Sequence, residues 1–94
     1  MRKVVFTSTA QERITHLYSP HFTAAETMAF QINLTQTILS RLMRVHANEG
    51  YKEYVRGPWS RTRRFVIEGY RVYYELNEEK DLVIIKAIKA RGMR

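Results

Sequence analysis

The sequence predicts a single α+β domain of order β-α-α-β-β-β, with two N-terminal helices packed on one face of an antiparallel sheet. Two segments in the first half open on capping-box signatures and carry apolar residues at helical spacing. Beyond Gly50 the apolar period drops to two, in three β-branched and aromatic runs separated by turn residues. Ninety-four residues, 45% hydrophobic and 27% charged, fit one folded domain spanning 1–94 with one modest core and no second.

Lys3 to Phe6 reads as the first strand, β-branched and aromatic. Ser8 or Thr9 caps the following helix, since Gln11 and Glu12 sit three residues on. Ala10, Ile14 and Leu17 form its apolar stripe, and Ser19-Pro20 stops it, because proline disfavours helical geometry in the preceding residue. Thr23 with Glu26 repeats the capping box and opens a long helix that runs to about Asn48 and ends at Gly50. Phe30, Leu34, Ile38, Leu42 and Val45 fall in one arc of this helix, and Met28, Ile32, Leu39, Met43 and His46 in the next. The first arc is expected on the sheet and the second on the first helix or a partner. Met28, Ile32, Leu39 and Met43 are read as core. Arg61 to Ile67, Tyr70 to Leu76 and Leu82 to Ile88 make a three-stranded meander, joined by Glu68-Gly69 and by the polar run Asn77 to Asp81. There is no internal repeat, low-complexity tract or linker.

Charge limits the partners. Sixteen Lys and Arg against nine Asp and Glu give a net charge of +7 and a pI near 10.1, which suits nucleic acid or another acidic surface. The excess is clustered at Arg56, Arg61, Arg63 and Arg64, and again at Lys86, Lys89, Arg91 and Arg94. No cysteine is present, so neither a disulfide framework nor a zinc-thiolate site can form. His16, His21 and His46 match no metal-ligand spacing, so neither a metal nor another cofactor is expected. The first residues lack the apolar core of a secretory signal, and no apolar run approaches the roughly 20 residues of a membrane span. A cytoplasmic protein is expected.

Strand alternation sorts the chemistry. Tyr70, Val72, Tyr74 and Leu76 suit the core side, which sends Arg71, Tyr73 and Glu75 to an open face. Phe65 and Ile67 look like core, so Thr62 and Arg64 are favoured beside Arg71. In the last strand Lys86 breaks the set Leu82, Ile84, Ile88, and its register stays open. Guanidinium groups grip phosphate oxygens in bidentate fashion and tyrosine rings stack on unpaired bases, so Arg64, Arg71 and Tyr73 suit one strand of RNA. Attack by a neighbouring 2′-hydroxyl needs a proton acceptor, a donor and cations for the charge on phosphorus. The arginines supply the cations, while Glu75, Tyr73 or a lysine with a lowered pKa could accept the proton. Trp59, after Gly57-Pro58, reads as a loop anchor beside the core, though its basic neighbourhood also allows a base to stack on it.

The first strand, the two helices, the arginine-bearing strand, the run Gly69-Tyr70-Arg71-Val72-Tyr73-Tyr74, the acidic loop and the β-branched last strand ending in basic residues together resemble the RelE/ParE toxin superfamily. That resemblance implies a toxin of a type II toxin-antitoxin system, held by an acidic antitoxin protein. In RelE-like members it implies metal-independent cleavage of mRNA on the ribosome, a block to translation. It assigns Arg71, Arg64 and Arg91 to the active face; Arg61, Arg63 and Lys89, in the same basic stretches, are expected with Arg91 as RNA-binding cations. The chain departs from many ribonuclease members, which carry a histidine or tyrosine in their last residues, by ending Ile88-Lys89-Ala90-Arg91-Gly92-Met93-Arg94. ParE-like members act instead on DNA gyrase, which gives the alternative. A non-toxic nucleic-acid-binding module, for which the basic face alone suffices, is the third reading.

Overall fold

A computed structural model describes residues 1–17 and 20–90. The elements are β1 (Lys3–Phe6), α1 (Ser8–Thr15), α2 (Ala24–Leu42), β2 (Thr62–Ile67), β3 (Tyr70–Asn77) and β4 (Leu82–Ala90), in the expected order. The sheet runs β1-β4-β3-β2, with the meander antiparallel and β1 parallel to β4. The sheet is therefore mixed, not wholly antiparallel. Side-chain alternation is the same for either strand direction, so the pattern of residues 3–6 carried no directional signal.

Caps set the helices. The α2 capping box forms as read, with the Thr23 amide donating to Glu26 Oε1 at 2.9 Å and the Glu26 amide to Thr23 Oγ1 at 3.1 Å. The α1 cap is Thr7, one residue before the expected pair: it accepts from the Ala10 amide at 3.2 Å and donates to the Lys86 carbonyl at 3.1 Å. One side chain thus ends the strand and starts the helix. Of the expected Ser19-Pro20 stop, Ser19 lies outside the described residues, and α1 already ends at Thr15.

α2 stops at Leu42, short of the expected Asn48. Tertiary contacts capture the chain there. The Arg2 amide donates to the Met43 carbonyl at 2.9 Å and Arg2 Nε to the Val45 carbonyl at 2.8 Å, while Arg41 pairs with Glu49 at 2.7 Å. The backbone then pairs through Tyr51 with Arg64, outside β2. Between β2 and β3, Glu68 and Gly69 both take positive φ, the two-residue hairpin geometry matched to strand twist.

The core lies between the helices and one sheet face, joining Ala10, Ile14, Leu34, Ile38, Leu42 and Val45 to Val72, Tyr74, Val83, Ile85 and Ile88. Of the first arc, Leu34, Ile38 and Leu42 are buried in α2 as read, Val45 is buried just past its end, and Phe30 is half-buried. The second arc is not buried: Met28 is 63% and Ile32 51% exposed, while Leu39 and Met43 are half-buried. An eight-residue α1, packed mainly on β4, is about 12 Å long and cannot cover a 19-residue helix of about 28 Å.

Tyr74 ties the core to the segment after α2. Its ring stacks on Phe65 at 5.4 Å, its hydroxyl donates to the Glu49 carbonyl at 2.8 Å, and burial pushes its pKa to about 12. Gly50, at φ 86°, sits against that hydroxyl, and a Cβ there would collide with it. Gly50→Ala is expected to cost about 1–3 kcal/mol through the left-handed backbone and the collision. Tyr74→Phe alone should cost about 1 kcal/mol for the lost hydrogen bond. The Gly50→Ala penalty should shrink in the Tyr74→Phe background, measured by urea unfolding; an unchanged penalty would mean the collision is not its source.

Candidate functional site

The second sheet face is assembled by register. Thr62, Arg64 and Val66 of β2 stand opposite Glu75, Tyr73 and Arg71 of β3, so the arginine favoured by the core pattern does join Arg71. On the other side of β3, Arg71 pairs with Lys89 and Tyr73 with Ala87, after which Tyr74 pairs with Ile85 and leaves Lys86 as an extra, bulged residue. This resolves the open register. Strict alternation would put Lys86 and Lys89 on opposite faces, whereas the bulge brings both to the side of Arg71.

The face is covered rather than open. After its bridge to β2, the segment 51–61 passes across it, and Glu53, Tyr54 and Trp59 close over Tyr73. The Tyr73 ring lies 6.3 Å from Tyr54, 5.8 Å from Trp59 and 5.3 Å from Lys89 Nζ, and it is 1% exposed. The expected base-stacking role of Tyr73 therefore does not fit this geometry, because no ring surface is presented.

Glu53 is the centre of the polar contacts. Its Oε2 accepts from the Tyr73 hydroxyl at 3.0 Å, and its Oε1 lies 3.4 Å from Arg64 Nε. Burial works to raise the Glu53 pKa. Hydrogen bonds from Tyr73 and Tyr54 and the charges of Arg64 and Arg71 outweigh it, holding the carboxyl below its usual range. The same contacts act in reverse on the phenols: the bond to Glu53 pushes Tyr54 up, and burial with that bond pushes Tyr73 up. Arg64 Nε is buried and lacks an aligned hydrogen-bond acceptor, although the Glu53 oxygen is within ion-pair distance. The two observations agree once distance and direction are separated, since a 3.4 Å contact off the N–H axis attracts without satisfying the donor. The guanidinium also lies 4.8 Å from the Tyr51 ring centre.

Glu75 shares this face as expected but stands away from the arginines, and the other expected residues fall elsewhere. Glu75 is four residues along β3 from Arg71, about 13 Å at strand rise, and its carboxylate faces Lys86 Nζ at 3.6 Å. Lys86 also donates to Thr62 Oγ1 at 3.0 Å and sits 4.8 Å from the Trp59 ring. Arg63 is on the opposite face from Arg64, where its Nη1 donates to the Gly50 carbonyl at 3.1 Å and toward Asn48 at 3.4 Å, so it fastens the chain instead of joining the cluster. Arg61 is exposed beside β2. Arg91 lies outside the described residues. Of the expected set, Arg64, Arg71, Tyr73 and Lys89 are brought together; Glu53, Tyr54 and Lys86 join them unforeseen. The one sequence signal for Glu53 was an acid bordering a basic block.

At the edge of this face Tyr54, Arg56, Pro58, Trp59 and Lys89 line a depression of about 370 Å³. A wider one, about 740 Å³, runs along α2 past Phe30, Gln36, Thr37 and Arg41 to Glu68, and none of the expected site residues lines it. Size is the weaker guide here, because the charge and aromatic chemistry gather at the smaller depression. Among the described residues no three His, Asp or Glu side chains meet as a metal site, and no helix is long and apolar enough to cross a membrane.

A carboxyl held low in the folded state stabilises the fold above its ordinary value of 4.5, and that contribution is lost as pH falls through the lower folded value. Wild type is thus expected to be more stable than Glu53→Gln at neutral pH, with the gap closing in acid. Urea unfolding across a pH series checks this, and a gap independent of pH would refute the ionic role of Glu53.

The family model described as ParE toxin of the type II toxin-antitoxin system parDE matches residues 4–94. No curated relative matches the sequence. Among solved structures, the fold is similar to the RelBE2 toxin-antitoxin complex of Mycobacterium tuberculosis, with a TM-score of 0.72 and 20% identity over 98% of this chain and 93% of that one. It is also similar to the intact E. coli RelBE complex, at TM-score 0.53 and 17% identity over 99% and 100%, and to the isolated E. coli RelE toxin, at 0.51 and 18% over 100% and 89%. With a covered basic sheet face, a β-α-α-β-β-β order and a family match across nearly its whole length, this chain belongs to the ParE toxin family of the RelE/ParE superfamily, the toxins of type II toxin-antitoxin systems.

Proposed function

We propose that this toxin cleaves mRNA on the ribosome, with Glu53 taking the proton from the attacking 2′-hydroxyl and Arg64 and Arg71 carrying the charge that develops on phosphorus. The observation behind this is the buried Arg64 Nε, a donor without an aligned acceptor beside an ionised carboxylate. Such a donor is costly to bury, and a phosphate oxygen would satisfy it. Glu53 replaces Glu75 in the role of acceptor, since Glu53 is the carboxylate that meets the arginines. As the 5′-oxygen leaves, the Lys89 ammonium, opposite Arg71 in register, supplies its proton. The products are a 2′,3′-cyclic phosphate and a free 5′-hydroxyl. No step calls on a metal. The cover of segment 51–61 favours a message already splayed by the ribosome over a free strand. An acidic antitoxin is the partner that this basic face calls for, in keeping with the complexes in which the structural neighbours are found.

The ParE family match supports a second reading, inhibition of DNA gyrase through the same face. The two separate cleanly. Translating ribosomes incubated with wild type should yield cut message by primer extension. Glu53→Gln should lower the cleavage rate by about 10²–10⁴-fold, the usual share of a general base, and Arg64→Ala by about 10²-fold or more. Intact message with wild type would overturn the ribonuclease reading, and full activity in Glu53→Gln would overturn the role of Glu53 as the base; loss of supercoiling by gyrase in the same preparations would establish the second reading.

A further inference from the structure

We propose that the depression lined by Tyr54, Pro58 and Trp59 is a nucleobase slot, receiving one unpaired base of the nucleotide next to the phosphate held by Arg64 and Arg71. This rests on the RNA reading of the face and adds a subsite to it.

The walls favour this occupant. Tyr54, Pro58 and Trp59 offer flat apolar surface, and the two remaining lining groups, Arg56 and Lys89, are both cations. No carboxylate lines the slot. Flat aromatic walls with a positive rim suit a planar ring carried on an anionic backbone, the combination that single-stranded nucleic acid presents. The space of about 370 Å³ is open at the surface, within the usual range of small-ligand sites.

The platform is also held in place before anything binds. Trp59 meets Tyr54 edge-on at 5.5 Å and 77°, rests against Tyr73 at 5.8 Å, and has Lys86 Nζ 4.8 Å from its ring centre. Its backbone is pinned by the Thr62 amide donating to the Trp59 carbonyl at 2.9 Å, and the turn before it by the Ser60 amide donating to Gly57 at 3.1 Å. A ring fixed on several sides loses little freedom on stacking. The slot adjoins the charged cluster directly, since Tyr54 hydrogen-bonds Glu53 and Lys89 stands opposite Arg71.

Trp59 is the single tryptophan of the chain, so its emission reports on the slot alone. The probe is a short, fully 2′-O-methylated RNA, which cannot be cleaved, labelled so that anisotropy measures binding separately. Expected are quenching of Trp59 emission on binding, and about tenfold weaker binding when one abasic position removes the stacked base. Arg56→Ala, at an exposed position, should weaken binding without disturbing the fold. Trp59→Phe should keep more affinity than Trp59→Leu. Binding by anisotropy with unchanged Trp59 emission, or equal affinity for abasic and intact strands at every position, would overturn the slot while leaving the RNA reading in place. Absence of any binding to the intact strand would overturn the slot, while cleavage of message on translating ribosomes tests the RNA reading separately.

Discussion

The constraint on which the site depends is the bulge at Lys86, in the strand flanked on both sides by others. β4 carries β1 on one edge and β3 on the other, so a one-residue irregularity there resets the faces of everything downstream. Before the bulge Val83 and Ile85 point into the core; after it Ile88 does. The phase change lets Ile88 remain buried while Lys86 and Lys89 both reach the other face. The Thr7 hydroxyl donates to the carbonyl of the bulged residue, which couples this irregularity to the start of α1.

Around that register the polar face solves an electrostatic problem. Arg64, Arg71, Lys86 and Lys89 share one face across three strands, and like charges on one face repel. Two carboxylates answer them, Glu75 beside Lys86 and Glu53 beside Arg64, and aromatic rings take up much of the rest. The arrangement is stable without being saturated, as the buried Arg64 Nε shows. A face neutralised in part by its own loop can still draw an anionic partner, because the net charge of +7 leaves a long-range field.

The opposite face follows ordinary core physics. Leu34, Ile38 and Leu42 pack on the sheet and need no partner beyond it. Met28 and Ile32 do not share that protection. Their exposure is a matter of length, since the short first helix leaves half of the longer one uncovered.

By itself the sequence determined the element order, the α2 capping box, the Glu68-Gly69 turn and the core face of β3 with the first arc of α2, and it favoured Arg64 for the face of Arg71. All of these rest on local periodicity or on contacts a few residues apart, and such signals survive in one dimension. Tertiary structure decided the parallel pairing of β1, the early end of α2, the bulge, the path of segment 51–61 and the exposure of Met28 and Ile32. Each depends on residues far apart in the chain, as Tyr73 and Glu53 are, or on the relative lengths of two elements, and no period records either. The candidate site divides along the same line. Arg64 and Arg71 were legible because strands alternate, while Lys86 and Lys89 waited on the bulge, and Glu53 and Tyr54, arriving on an irregular segment, became visible only once the chain had folded over the sheet.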